Sequence, residues 1–102
     1  MALVNIESVQ QRILDQLKKT PEGQGFEILS YKRNRGISLI RTGTNLVNVR
    51  ERGYRERRIT VTLTVLPKIL RSMMNTEFPR SRKVRVYRLA SAEAADREMK
   101  KI

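Results

Sequence analysis

Apolar residues recur at Ile6, Val9, Ile13, Leu14 and Leu17, with Gln10, Gln11, Asp15, Lys18 and Lys19 between them. That spacing predicts an amphipathic helix over residues 6–19, and Asn5 or Ser8 supplies a capping oxygen at its start. Thr20-Pro21-Glu22-Gly23-Gln24-Gly25 ends it, because one Pro and two Gly in six residues do not continue a helix cheaply. From Phe26 the period falls to two. Phe26, Ile28 and Ser30 alternate with Glu27, Leu29 and Tyr31, and after Asn34-Arg35-Gly36 the alternation resumes in Ile37, Leu39 and Arg41. A glycine closing a short polar link suits the positive φ of a hairpin turn, here Gly36. Thr42-Gly43-Thr44-Asn45 forms the next break, Leu46 to Arg50 a third strand, and Arg52-Gly53-Tyr54 a further turn.

The clearest strand follows. Ile59, Val61, Leu63 and Val65 fall on one face and Arg58, Thr60, Thr62 and Thr64 on the other, as in a sheet packed on one side only. Pro67 is well placed in the first turn of a helix over 67–75, whose stripe is Ile69, Leu70, Met73 and Met74. These methionines read as packing against a sheet. Phe78-Pro79-Arg80-Ser81 links to a last strand, Lys83 to Leu89, and Ser91 caps a fraying terminal helix over 92–101. The expected fold is therefore α+β. A mainly antiparallel sheet of about five strands carries an N-terminal helix, a helix before the last strand and a C-terminal helix, with the helices on one face. At 102 residues and 39% hydrophobic, the chain is expected to form a single domain, residues 91–102 being its frayed end.

Composition narrows the chemistry. The chain has no Cys and no His, which removes disulfides, thiolate zinc sites, cysteine nucleophiles and His-based triads. The ten acidic residues are scattered along the chain. Glu93 and Asp96 lie three apart, beside Arg97 and Lys100, as local ion pairs of a solvated helix would. Gly23-Gln24-Gly25 lacks the rest of a nucleotide fingerprint. No enzymatic activity and no cofactor is expected. Met1-Ala2-Leu3-Val4-Asn5 lacks the basic and long apolar segments of a secretion signal, and no apolar run approaches the roughly 20 residues that cross a bilayer. A cytoplasmic protein is expected.

Charge points to a partner. Twenty-two Lys and Arg against ten Asp and Glu give +12, a balance that attracts polyanions. Nine cations, Lys32, Arg33, Arg35, Arg41, Arg50, Arg52, Arg55, Arg57 and Arg58, lie between Tyr31 and Arg58 with only Glu51 and Glu56 among them. Most sit in or beside the two hairpin turns. The prevalence of Arg favours bidentate phosphate contact and stacking over diffuse attraction to a membrane. A second cluster, Arg80, Arg82, Lys83, Arg85 and Arg88, contains no acid. Tyr54 and Tyr87 stand within these stretches, as do rings that stack on bases in single-strand binders, although partial burial beside a strand neighbour accounts for such rings equally well. Edge strands also carry cations merely to block aggregation.

The expected function is nucleic-acid binding through phosphate contacts, without marked sequence specificity. RNA or single-stranded DNA is favoured, because no helix is both basic and neatly capped for a major groove. The alternative is an interaction module or small subunit that binds an acidic protein partner or self-associates.

Overall fold

The computed structural model describes residues 2–30, 32, 34–79 and 82–90. Its elements are β1 (Ala2–Asn5), α1 (Ile6–Leu17), β2 (Gly25–Leu29), β3 (Gly36–Gly43), β4 (Leu46–Arg52), β5 (Glu56–Thr62), α2 (Leu66–Glu77) and β6 (Lys83–Leu89). The strands form one antiparallel sheet in the order β1-β6-β2-β3-β4-β5. The α+β class and the antiparallel sheet agree with the sequence pattern. The count does not: six strands are present among the described residues, and β1 was not expected. Four residues are too few to show an alternation, and β1 owes its strand conformation to pairing of Ala2–Asn5 with Lys83–Val86. The two helices expected before and after the four-strand run are present, and the one expected over 92–101 lies outside the described residues.

The helix boundaries shift for local reasons. Asn5 is the N-cap of α1, its side chain accepting from the Glu7 N–H at 2.9 Å. The helix stops at Leu17, two residues early, where Lys18 caps it and Thr20 Oγ1 donates back to the Gln16 carbonyl at 2.7 Å. Pro67 opens α2 as expected, but Asn75 and Thr76 continue the helix to Glu77. Leu63 to Val65 leave β5 as a turn, so Val65 sits exposed at the α2 N-cap and not in the strand. Gly36 is the first residue of β3, without the positive φ expected of it; in the hairpins that conformation falls to Gly53, at φ +156°.

Both helices pack on one face of the sheet. Val9, Ile13, Leu14 and Leu17 of α1 and Leu66, Leu70, Met73 and Met74 of α2 are buried with Val4, Phe26, Ile28, Ile37, Leu39, Val47, Val49 and Val84. Phe78 closes this core. Each such side chain stabilises the fold by about 1.5–3 kcal/mol through removal from water. Strand pleating then directs Gly25, Glu27, Leu29, Ser38, Ile40, Arg50, Arg58, Arg85, Tyr87 and Leu89 to the opposite face. That face is not uniformly wet. Glu27, Leu29, Ser38, Ile40 and Leu89 are buried, so β2 is covered on both sides.

The β3–β4 turn and the end of α1 meet at one end of the sheet, where Arg41 holds them. Its NH1 donates to the carbonyls of Leu17 at 2.7 Å and Thr20 at 3.3 Å, its Nε to Gly43 at 3.0 Å, and its NH2 to Thr44. A guanidinium satisfies orphan carbonyls at a helix C-terminus while its charge opposes the negative end of the dipole. Replacing Arg41 by Ala leaves these carbonyls without their donor and is expected to lower stability by about 1–3 kcal/mol in urea unfolding. Lys, with one compact ammonium, is expected to recover only part of the loss; an Arg41→Ala protein of unchanged midpoint would contradict this role.

Candidate nucleic-acid interface

Strand order fixes where the cations meet. In a meander, alternate turns fall at the same end, so the β2–β3 turn and the β4–β5 turn share the end opposite Arg41. The register confirms it, since Leu29 pairs with Gly36, Gly36 with Arg52, and Arg52 with Glu56. The start of β6 joins them, because Leu29 also pairs with Arg85 and Lys83 lies two residues beyond. The two clusters separated in sequence thus converge. Lys32, Arg35, Arg52, Tyr54, Arg55, Arg57, Arg82, Lys83 and Arg85 lie at or next to this end, with Arg50 and Arg58 one pair further in than Arg57. Arg50 stands directly opposite Arg58. A shallow depression of about 200 Å³ is lined by Arg50, Arg52, Arg57, Arg58, Glu51 and Glu56.

The remaining candidates divide. Tyr87 shares a strand face with Lys83 and Arg85, pairs in register with Glu27 and is half-buried. Arg41 is at the opposite end, engaged with backbone carbonyls. Arg88 projects on the helix side and, with Arg12 and Gln16, rims a cavity of about 320 Å³ floored by Val4, Val9, Ile13, Phe26 and Val86. Arg33 and Arg80 lie outside the described residues, as does Tyr31.

Sequence spacing did not reveal what holds the basic end in shape. Glu77, the last residue of α2, is fully buried, and so is the Glu51 side chain of β4. Glu77 Oε1 accepts from the Tyr54 N–H at 2.9 Å and Oε2 from the Arg55 N–H at 3.2 Å. The Glu77 backbone carbonyl accepts from Arg35 Nε at 2.8 Å. One residue therefore ties both basic turns to α2. A Cβ at Gly53 would collide with Glu77 Oε1 and come within 2.8 Å of Arg35 Cγ, so only glycine lets the carboxylate lie beneath the turn. Beside it, Arg57 Nε donates to Glu51 Oε1 at 3.0 Å.

Glu51 Oε2 has no donor among the described residues. Burial pushes the Glu77 carboxyl above its ordinary value of 4.5, and a hydrogen bond to Glu51 and the Glu51 charge push the same way, against the lowering effect of the Tyr54 and Arg55 N–H groups. Desolvation and the neighbouring Glu51 thus favour the protonated form of Glu77 more than water does. The signal was present in the sequence. Glu77 continues the stripe Leu66, Leu70, Met73, and Glu51 continues the alternation Val47, Val49, so both acids stand at apolar positions. Among the described residues no group of three or more potential metal ligands occurs.

The sign of the pH dependence follows. A carboxyl whose folded value is raised binds its proton more tightly in the folded chain, so its contribution is complete below 4.5 and is lost as pH rises through the raised value. Stability of the parent protein is expected to fall across that window. Glu77→Gln, which keeps an acceptor for the turn and adds a permanent donor for Glu51, is expected to remove this component of the profile in urea unfolding at a series of pH values. Identical profiles would contradict a raised Glu77 carboxyl.

Set against protein-family models, curated proteins and solved structures, the chain matches none of them.

Proposed function

We propose that this is a nucleic-acid-binding protein, not an enzyme, that contacts phosphates through the end of the sheet where both basic turns and the start of β6 meet. The observation that carries the reading is this convergence of two sequence-distant basic clusters at one end, on backbone that Glu77 fixes. A polyanion with regularly spaced charges meets many cations at once there, and a pre-ordered surface loses little entropy on binding. Phosphates engage the forked donors of Arg52, Arg55, Arg58 and Arg85, with Lys32, Arg82 and Lys83 adding charge at the margin. Both helices have their apolar stripes packed on the sheet, and the exposed cations of α2, Lys68 and Arg71, are too few for groove reading, which favours RNA or single-stranded DNA over duplex. We place this activity in the cytoplasm, where nucleic acid is an abundant polyanion. No helix among the described residues is long and apolar enough to cross a membrane.

A second reading, an acidic protein segment adding to the sheet, is favoured by one observation. β5 is an edge strand, paired only with β4 among the described residues, and exposed Leu46 and Val65 flank its end. An extended acidic chain would hydrogen-bond along it beside Arg57 and Arg58. Nuclease treatment separates the two, dissolving a complex of the first kind and sparing one of the second.

For the first reading, contact with about five phosphates of a single strand predicts that log K falls with log salt at a slope of about −3.5, roughly −0.7 per phosphate. Reversing Arg55 and Arg58 to Glu, both exposed at the basic end, is expected to weaken oligonucleotide binding at least about tenfold and to flatten the slope by more than one. Reversing Lys18 and Lys19, which change net charge equally at the other end, is expected to change affinity far less. Salt-independent affinity, or equal effects of the two reversals, would overturn the proposal.

A further inference from the structure

We infer that Tyr54 is a stacking platform for one unpaired base, backed by Arg35. The inference rests on the nucleic-acid reading above and goes beyond phosphate contact to a residue that stacks on a base. Tyr54 is 67% exposed, although a tyrosine ring usually buries much of its large apolar surface. It stands at the tip of the β4–β5 turn, and Arg35 Cζ lies 4.7 Å from its ring centroid, within cation–π range. Arg35 is itself held by the Glu77 carbonyl, and the Tyr54 and Arg55 N–H groups by the Glu77 carboxylate. Backbone and one side of the ring are thus fixed before any ligand arrives, and the rest of the ring is left to solvent.

Such an arrangement suits a nucleobase. A guanidinium behind the ring supports stacking in front of it, and every base offers a π-face, so one platform binds without reading sequence. Exposed Lys32 and Arg55 and half-exposed Arg52 lie in or beside the same two turns and offer charge for phosphates. Bases inside a duplex already stack on their neighbours on both faces. The ring therefore reaches only an unpaired, terminal or extruded base, and this makes the site selective for strandedness.

The test compares a single strand of about 16 nucleotides with the same strand carrying abasic sites, an equal polyanion without the rings, using fluorescence anisotropy. The unmodified protein is expected to bind the intact strand about 5- to 100-fold more tightly than the abasic one. Tyr54→Phe should keep this ratio, and Tyr54→Ala should bind both strands alike with an unchanged salt slope. The exposed position keeps the Ala variant folded, checked by an unchanged thermal midpoint. Salt-dependent binding without discrimination between the strands, or discrimination that survives in Tyr54→Ala, overturns the platform and leaves the phosphate-binding end standing. Absence of salt-dependent binding to either strand at low salt overturns both.

Discussion

The basic end of this protein depends on what Glu77 does at the end of α2. Its carboxylate takes two N–H groups of the β4–β5 turn, and its carbonyl takes the guanidinium of the β2–β3 turn. Hydrogen bonds to a charged or buried carboxyl are stronger than those between neutral groups, and a turn pinned at two successive N–H groups has little freedom left. The cost is a buried acid, beside which a second one, Glu51, is buried with Arg57 paired to it. Acidic residues at the centre thus position basic residues at the rim, and Arg35, Tyr54 and Arg55 are joined through one residue of α2.

Pleat phase sorts the charged residues into two kinds, and this sorting was legible. In each strand, residues in step with the apolar positions project toward the helices. Arg35 and Arg41 are in step with Ile37 and Leu39, Glu51 with Val47 and Val49, Arg57 with Ile59 and Val61, and Arg88 with Val84 and Val86. Four of these five are engaged in intramolecular bonds: Arg35 with Glu77, Arg41 with backbone carbonyls, and Arg57 with Glu51. Residues out of step, Arg50, Arg52, Arg58, Lys83 and Arg85, project from the other face. Charge density alone merges the two kinds, and the period of two separates cations on the helix face from those on the opposite face.

Other features were not legible because they arise only from pairing across the sheet. The four strands of the meander and both described helices follow from local periodicity, whereas β1 has no period of its own and exists through β6. The local alternation in β2 does not show that both of its faces are covered, yet Glu27 and Leu29, opposite the helices, are buried. That Arg82, Lys83 and Arg85 join the hairpin cluster requires β6 to insert between β1 and β2, which no local pattern states. The exposed ring of Tyr54 gains its meaning only from Arg35 and Glu77, distant in sequence.

The central claim is that one end of the sheet, held by Glu77, is the surface that meets a polyanion. Amide shift mapping by NMR during titration with a single-stranded oligonucleotide tests it most directly. The largest shifts are expected at Lys32, Arg35, Arg52 to Arg58 and Arg82 to Arg85, with Lys18, Lys19 and Thr42 to Asn45 at the opposite end unmoved. Shifts centred on α1 and the β3–β4 turn, or spread evenly over all exposed cations, would contradict it.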